Sequence, residues 1–122
     1  MKALLLLATT MAFGQAPQGD WQIVRATTAA SGGMHRTVEN VTVDYSRVDA
    51  DTEQLRVVVN DCGDPAWNSV ANPAPEGAQD LKDAIADAFR DARTSCKISD
   101  GVEERMMSGF DAAFAQFQAL SN

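Results

Sequence analysis

The chain has 122 residues and a formal net charge of −7, and 45% of its residues are hydrophobic. This length suits one domain with a thin core. The acidic charge disfavours binding to nucleic acid or to anionic membrane surfaces, and it is compatible with a basic protein partner.

Residues 1–16 have the three-part layout of a secretory signal peptide. Lys2 supplies a positive charge, residues 3–13 form an uncharged apolar run, and small residues follow. The run is shorter than the roughly 20 residues that cross a bilayer as a helix. We therefore expect cleavage after Gly14 or Ala16, no stable membrane insertion, and a periplasmic or secreted location.

Alternating apolar residues predict strands over residues 21–28, 36–48 and 53–62. The connections between them are short, which favours an antiparallel meander. Turns are predicted at residues 30–33, where paired glycines tolerate positive φ, and at residues 49–52.

Val38 is out of phase with the alternation of Val41, Val43 and Tyr45 in the second predicted strand. An extra residue in a strand shifts its alternation by one position. We therefore expect a β-bulge near Glu39–Asn40.

Residues 63–75 contain prolines and a glycine, which predict a long irregular loop. Two amphipathic helices follow, over residues 77–96 and 102–120. Asp100 and Glu103 have the spacing of a capping box at the start of the second helix.

Cys62 and Cys96 are the cysteines of the chain. In an oxidising compartment such a pair most often forms a disulfide. It would join the end of the third strand to the first helix. No cofactor or metal site is expected, because a zinc site needs three or four ligands of suitable type and the chain has one histidine.

Residues 17–122 are therefore expected to form a single α+β domain. Its predicted architecture is a three-stranded antiparallel meander followed by two antiparallel amphipathic helices packed on one face, with one disulfide.

Two groups of residues are candidates for binding. Asp64, Trp67 and Asn68 lie in the predicted loop, where Trp67 is expected either to cover the core or to anchor a partner. An acidic stripe on the first helix falls within one sector, opposite the apolar stripe, and consists of Asp80, Asp83, Asp87 and Asp91.

No catalytic motif accompanies His35, which is expected to be a surface residue in or near a turn. The sequence thus favours a small acidic extracytoplasmic domain that acts by binding and not by catalysis, such as an inhibitor or accessory partner of a basic protein. Two alternatives are open: a hydrolase-like enzyme that uses carboxylates of the 61–72 segment, and a structural protein of the cell envelope.

Overall fold

The computed structural model describes residues 20–25, 31–49, 51–64 and 66–121. The predicted signal peptide and the end of the first predicted strand lie outside these ranges. Within them the chain forms five strands and three helices: β1 (Gln22–Arg25), β2 (Gly32–Val38), β3 (Val41–Asp49), β4 (Thr52–Val59), β5 (Trp67–Ala71), α1 (Ala78–Ala92), α2 (Val102–Met107) and α3 (Phe110–Ser121).

The strands form an antiparallel sheet in the order β1-β2-β3-β4-β5, so each strand pairs with its neighbours in the chain. The α+β class and the meander are confirmed. The expected number of three strands is wrong, because the described residues contain five.

The predicted second strand is in fact the hairpin β2–β3, with Glu39 and Asn40 as its turn. Val38 pairs with Val41 across this turn, and Glu39 has a φ of 52°. The slip in alternation at Val38 therefore marks a change of direction. The predicted bulge at this point is wrong.

Gly32 and Gly33 lie in β2, so the turn predicted over residues 30–33 does not include them. A Cβ atom at Gly33 would lie 2.7 Å from the backbone oxygen of Tyr45 on β3. Glycine at this position thus allows β2 and β3 to approach closely. The predicted turn took the two glycines as a sign of positive φ and did not consider this role.

The segment predicted as a long loop contains β5, which pairs with β4 from Trp67 opposite Val59 to Ala71 opposite Leu55. Prolines at positions 65 and 73 precede and follow this strand. Proline weakens a strand only where the ladder needs its missing N–H, so the residues between the prolines remain free to pair. The loop prediction is wrong for residues 67–71.

Helix α1 buries the predicted apolar stripe, which includes Leu81, Ile85 and Phe89. The second predicted helix is interrupted after α2, where Ser108 is extended and Gly109 has a φ of 77°. The predicted capping box is also wrong, because the N-cap of α2 is Gly101 and no side-chain hydrogen bond caps the helix there.

The helices lie on one face of the sheet: α1 contacts β4 and β5, α2 contacts β2, and α3 contacts β1 and β2. The core lies between the two layers. Its largest fully buried side chains are Phe89, Phe117, Met34, Leu81, Ile85 and Met106.

Cys62 and Cys96 form a disulfide, with their Cα atoms 5.5 Å apart, as the sequence predicts. Cys62 lies between β4 and β5, and Cys96 follows the end of α1. The bond therefore joins the sheet and the helix layer at one end of the domain. Among the described residues, no helix is long and apolar enough to cross a membrane.

Candidate binding surfaces

The acidic α1 face consists of Asp80, Asp83, Asp87 and Asp91, and all of these side chains are exposed. They lie on the side of α1 opposite Leu81 and the rest of its buried stripe. Carboxylates four residues apart on a helix are separated by about 6 Å along its axis. The face is therefore a row of regularly spaced negative charges directed away from the core.

Few basic groups lie against this row. Arg90 forms an exposed ion pair with Asp87 at 3.0 Å, and Gln79 donates a hydrogen bond to Asp83 over 2.9 Å. Lys82 instead extends to Asp111 on α3, also at 3.0 Å. Exposed pairs of this kind contribute little and are easily exchanged, so the carboxylates remain accessible to a cationic partner.

The residues predicted in the loop are not brought to one place. Asp64 is exposed in the turn between β4 and β5. Trp67 is half-buried and packs against the core, whereas the next residue, Asn68, is exposed. Because successive side chains of a strand point to opposite faces, Trp67 and Asn68 cannot line the same cleft. Trp67 lies on the core side, which is the covering role considered from the sequence.

An acidic depression of about 370 Å³ lies where the turn from β3 to β4 meets the segment before α1. It is lined by Asp51, Glu53 and Glu76 together with Pro73 and Ala74. The backbone N–H of Ala74 donates to the carbonyl oxygen of Glu53 over 3.2 Å, which holds the two segments together. Sequence reasoning missed this depression, because its residues belong to segments that are distant in the chain.

Glu53 is held in place from the core side. The hydroxyl of Tyr45 donates to it over 2.9 Å, and Arg47 lies 3.4 Å from its other oxygen. Burial, followed by this hydrogen bond, raises the pKa of Tyr45 to about 12. The hydroxyl thus stays protonated over the physiological range and continues to act as the donor.

The sheet face opposite the helices, hereafter the open sheet face, carries side chains in rows that cross the strands. The central row places directly paired residues next to one another, and runs Gln22, His35, Asp44, Arg56, Val70. One flanking row runs Val24, Gly33, Ser46, Gln54. The other runs Thr37, Thr42, Val58, Asn68.

His35 lies in β2, so its expected place in or near a turn is wrong. It stands beside Asp44, and a depression of about 370 Å³ lies over these residues, Val24, Gly33 and Ser46. A nucleophile–base–carboxylate triad requires hydrogen bonds between its members. In the described part of the chain, no side-chain hydrogen bond joins His35 to Asp44 or to Ser46.

Among residues 20–25, 31–49, 51–64 and 66–121, no group of three or more His, Cys, Asp or Glu side chains is placed to hold a metal ion. Comparison of the chain with protein-family models, curated proteins and solved structures returned no significant match.

Proposed function

We propose that this protein is a small extracytoplasmic binding domain whose partner is a basic protein segment, bound along the acidic α1 face. The observation that carries the proposal is the exposure of Asp80, Asp83, Asp87 and Asp91 on one side of α1. The signal-peptide pattern of residues 1–16 and the disulfide support the location outside the cytoplasm.

The spacing of the row suggests the conformation of the partner. Asp83, Asp87 and Asp91 are about 6 Å apart along the axis of α1. Alternate residues of an extended peptide are separated by about 6.6–6.8 Å. A strand-like segment with Lys or Arg at every second position could therefore place a cation near each carboxylate in turn.

The alternatives have less support. A hydrolase built on residues 61–72 would need the carboxylate of Asp61 or Asp64 beside Trp67 in a cleft, but Trp67 packs against the core while both carboxylates are exposed in the turn before β5. For a purely structural envelope role, we find no supporting feature in the described residues.

The test uses two variants with equal charge change. Asp83→Asn, Asp87→Asn and Asp91→Asn together remove charge from the acidic α1 face. Asp80 is retained because it lies in the first turn of α1, where a negative charge stabilises the helix. The control combines Asp51→Asn, Asp61→Asn and Asp100→Asn, which are exposed carboxylates outside the helices.

The probe is a ten-residue peptide of alternating Lys and Ser, with blocked ends. We expect it to bind the wild-type protein at low salt and to be released at 0.5 M salt, roughly, where charges are screened within a few ångströms. If each exposed pair contributes about 0.5–1 kcal/mol, the α1 variant binds roughly 10- to 100-fold more weakly. An equal loss in the control variant would show that only net charge matters and would reject the proposal.

A further inference from the structure

The open sheet face differs in charge from the rest of the molecule. The chain carries a formal charge of −7, yet Asp44 and Arg56 are the formally charged residues of the three rows described above, and they cancel. A large apolar side chain is also exposed on this side of the sheet, because Val70 on β5 is 49% exposed. This face is therefore where another acidic molecule could approach without net repulsion.

Asp44 and Arg56 are direct neighbours on β3 and β4. In the part of the chain that the structure describes, no ion pair or hydrogen bond joins them, and neither takes another side-chain partner. Two opposite charges thus stand side by side at the centre of the face, and both are available to groups outside the protomer.

We propose that the open sheet face binds a second copy of this chain, forming a two-fold symmetric dimer in which Asp44 of each copy faces Arg56 of the other. A two-fold interface brings the same patch of both subunits together, so the patch must complement itself. A two-fold axis that runs parallel to the strands, between β3 and β4, makes the patch complement itself. It places Asp44 of the first copy opposite Arg56 of the second and, at the same time, Arg56 of the first copy opposite Asp44 of the second. His35 then faces Val70 of the second copy.

Other placements of the axis are less favourable. An axis along the central row would set Asp44 against Asp44 and Arg56 against Arg56. Like charges opposed across a desolvated interface oppose association. Aligned sheets pack about 10 Å apart and cross at about 30°. Asp44 and Arg56 both lie about 2.4 Å from the proposed two-fold axis, which is half the spacing between strands. Because they are so close to the axis, a crossing angle of about 30° between the two sheets still leaves Asp44 of one copy opposite Arg56 of the other.

The size of the contact sets its expected strength. In the proposed dimer, the two open sheet faces overlap over the four strands β2 to β5, which span about 19 Å across the strands. Along the strands the overlap includes the three rows of side chains, which span about 20 Å. The interface then buries roughly 800 Å² in total, which is less than the roughly 1,200–2,000 Å² of stable specific interfaces and is the size of a weak, transient contact. The dimer is therefore weak and reversible, and it forms appreciably only at high protein concentration. Both helix layers face outward in it.

Sedimentation of the purified protein at concentrations up to about 1 mM tests the proposal. The weight-average mass of the wild type should rise with concentration towards twice the monomer mass. Asp44→Arg and Arg56→Asp, each alone, should weaken association at least tenfold, because like charges then oppose one another. The double variant, in which the two charges are exchanged, should recover it.

A mixture of the two single variants gives the sharpest result. One carries two arginines at these positions and the other carries two aspartates, so only the mixed pair is complementary. Equal amounts of the two should form a heterodimer although each alone is monomeric. Val24→Ser, outside the overlap on β1, is the matched control and should leave association within twofold. A wild type that stays monomeric to 1 mM, or a mixture that does not associate, overturns the proposal.

Discussion

The Nη1 atom of Arg36 donates a hydrogen bond to the carbonyl oxygen of Met106 over 3.0 Å. Arg36 is on β2, and Met106 is in the last turn of α2. The same nitrogen donates to the carbonyl oxygen of Ser108, where the chain leaves α2. A cation at the end of a helix satisfies carbonyl groups that have no partner within it. Arg36 thus holds the end of α2, and the residues that connect α2 to α3, against the sheet.

The first prediction concerns this attachment. Arg36 is only 9% exposed, and burial lowers the pKa of its guanidinium while the charge of Asp20 raises it. Arg36→Ala leaves two carbonyl groups without their donor, and we expect the free energy of unfolding to fall by about 2–4 kcal/mol. Urea unfolding measures the change.

Arg90→Ala is the control, because Arg90 is exposed and pairs only with Asp87 in the described residues. Its loss should cost less than about 1 kcal/mol. If both variants lose the same small amount, Arg36 does not fasten α2 to the sheet.

The second prediction concerns the disulfide, which links residues separated by 34 positions. In the chain-entropy model a loop of this length is worth about 3–4 kcal/mol. The double variant Cys62→Ser, Cys96→Ser should therefore unfold at a lower urea concentration than the oxidised wild type. Reduction of the wild type should lower its stability by a similar amount. Equal stability before and after reduction would show that non-covalent contacts alone hold the sheet and the helix layer together at the end of the domain where the disulfide lies.

The elements with strong periodicity could be predicted from the sequence. The apolar stripe of α1 that includes Leu81, Ile85 and Phe89 is buried as expected, because its spacing repeats over several turns. The hairpin at Glu39–Asn40 was harder to recognise, since neither residue is glycine and the turn appears only as a phase slip at Val38. This missed turn accounts for one of the two strands that the prediction lacks, and the other is β5, which lies in the segment predicted as a loop.

The candidate surfaces could likewise be predicted only where they depend on the periodicity of a single element. The acidic α1 face could be predicted because it depends on the period of one helix. The row of His35, Asp44 and Arg56 depends on the register between β2, β3 and β4. Once β2 and β3 are taken as one strand, His35 falls outside it and cannot be placed beside Asp44.

The third prediction concerns Tyr45, whose pKa is raised to about 12, first by burial and then by its hydrogen bond to Glu53. An unfolded tyrosine has a pKa of about 10. A group with a raised pKa contributes stability below its unfolded pKa, and this contribution is lost as the pH rises through the folded value. We therefore expect stability to decrease between about pH 10 and pH 12.

Tyr45 is the only tyrosine of the chain, so tyrosinate absorbance reports on it alone. The midpoint should be near 12 in the folded protein and near 10 in denaturant. Tyr45→Phe should reduce the alkaline loss of stability. A folded midpoint near 10 would mean that the hydroxyl is open to water and not engaged with Glu53.

The last prediction separates the two reasons for which this chain uses glycine. A Cβ atom at Gly33 would lie 2.7 Å from the backbone oxygen of Tyr45, and a backbone atom of a paired strand cannot move aside as a flexible side chain can. Gly33→Ala should therefore displace β2 from β3 and lower the free energy of unfolding by about 1–3 kcal/mol, the usual cost of overpacking. Thermal unfolding, followed by circular dichroism, measures the loss.

Gly109 is required for its conformation instead. Its φ is 77°, and a Cβ atom there would have nothing within 4 Å. Asparagine tolerates this conformation better than other side chains, so Gly109→Asn should cost about 1 kcal/mol or less, while Gly109→Val should cost more because a β-branched side chain is strained there. At Gly33, by contrast, asparagine should be at least as harmful as alanine, since both carry the Cβ atom that collides with β3. If asparagine were tolerated equally well at both positions, the close approach of β2 to β3 would not be what requires glycine at position 33.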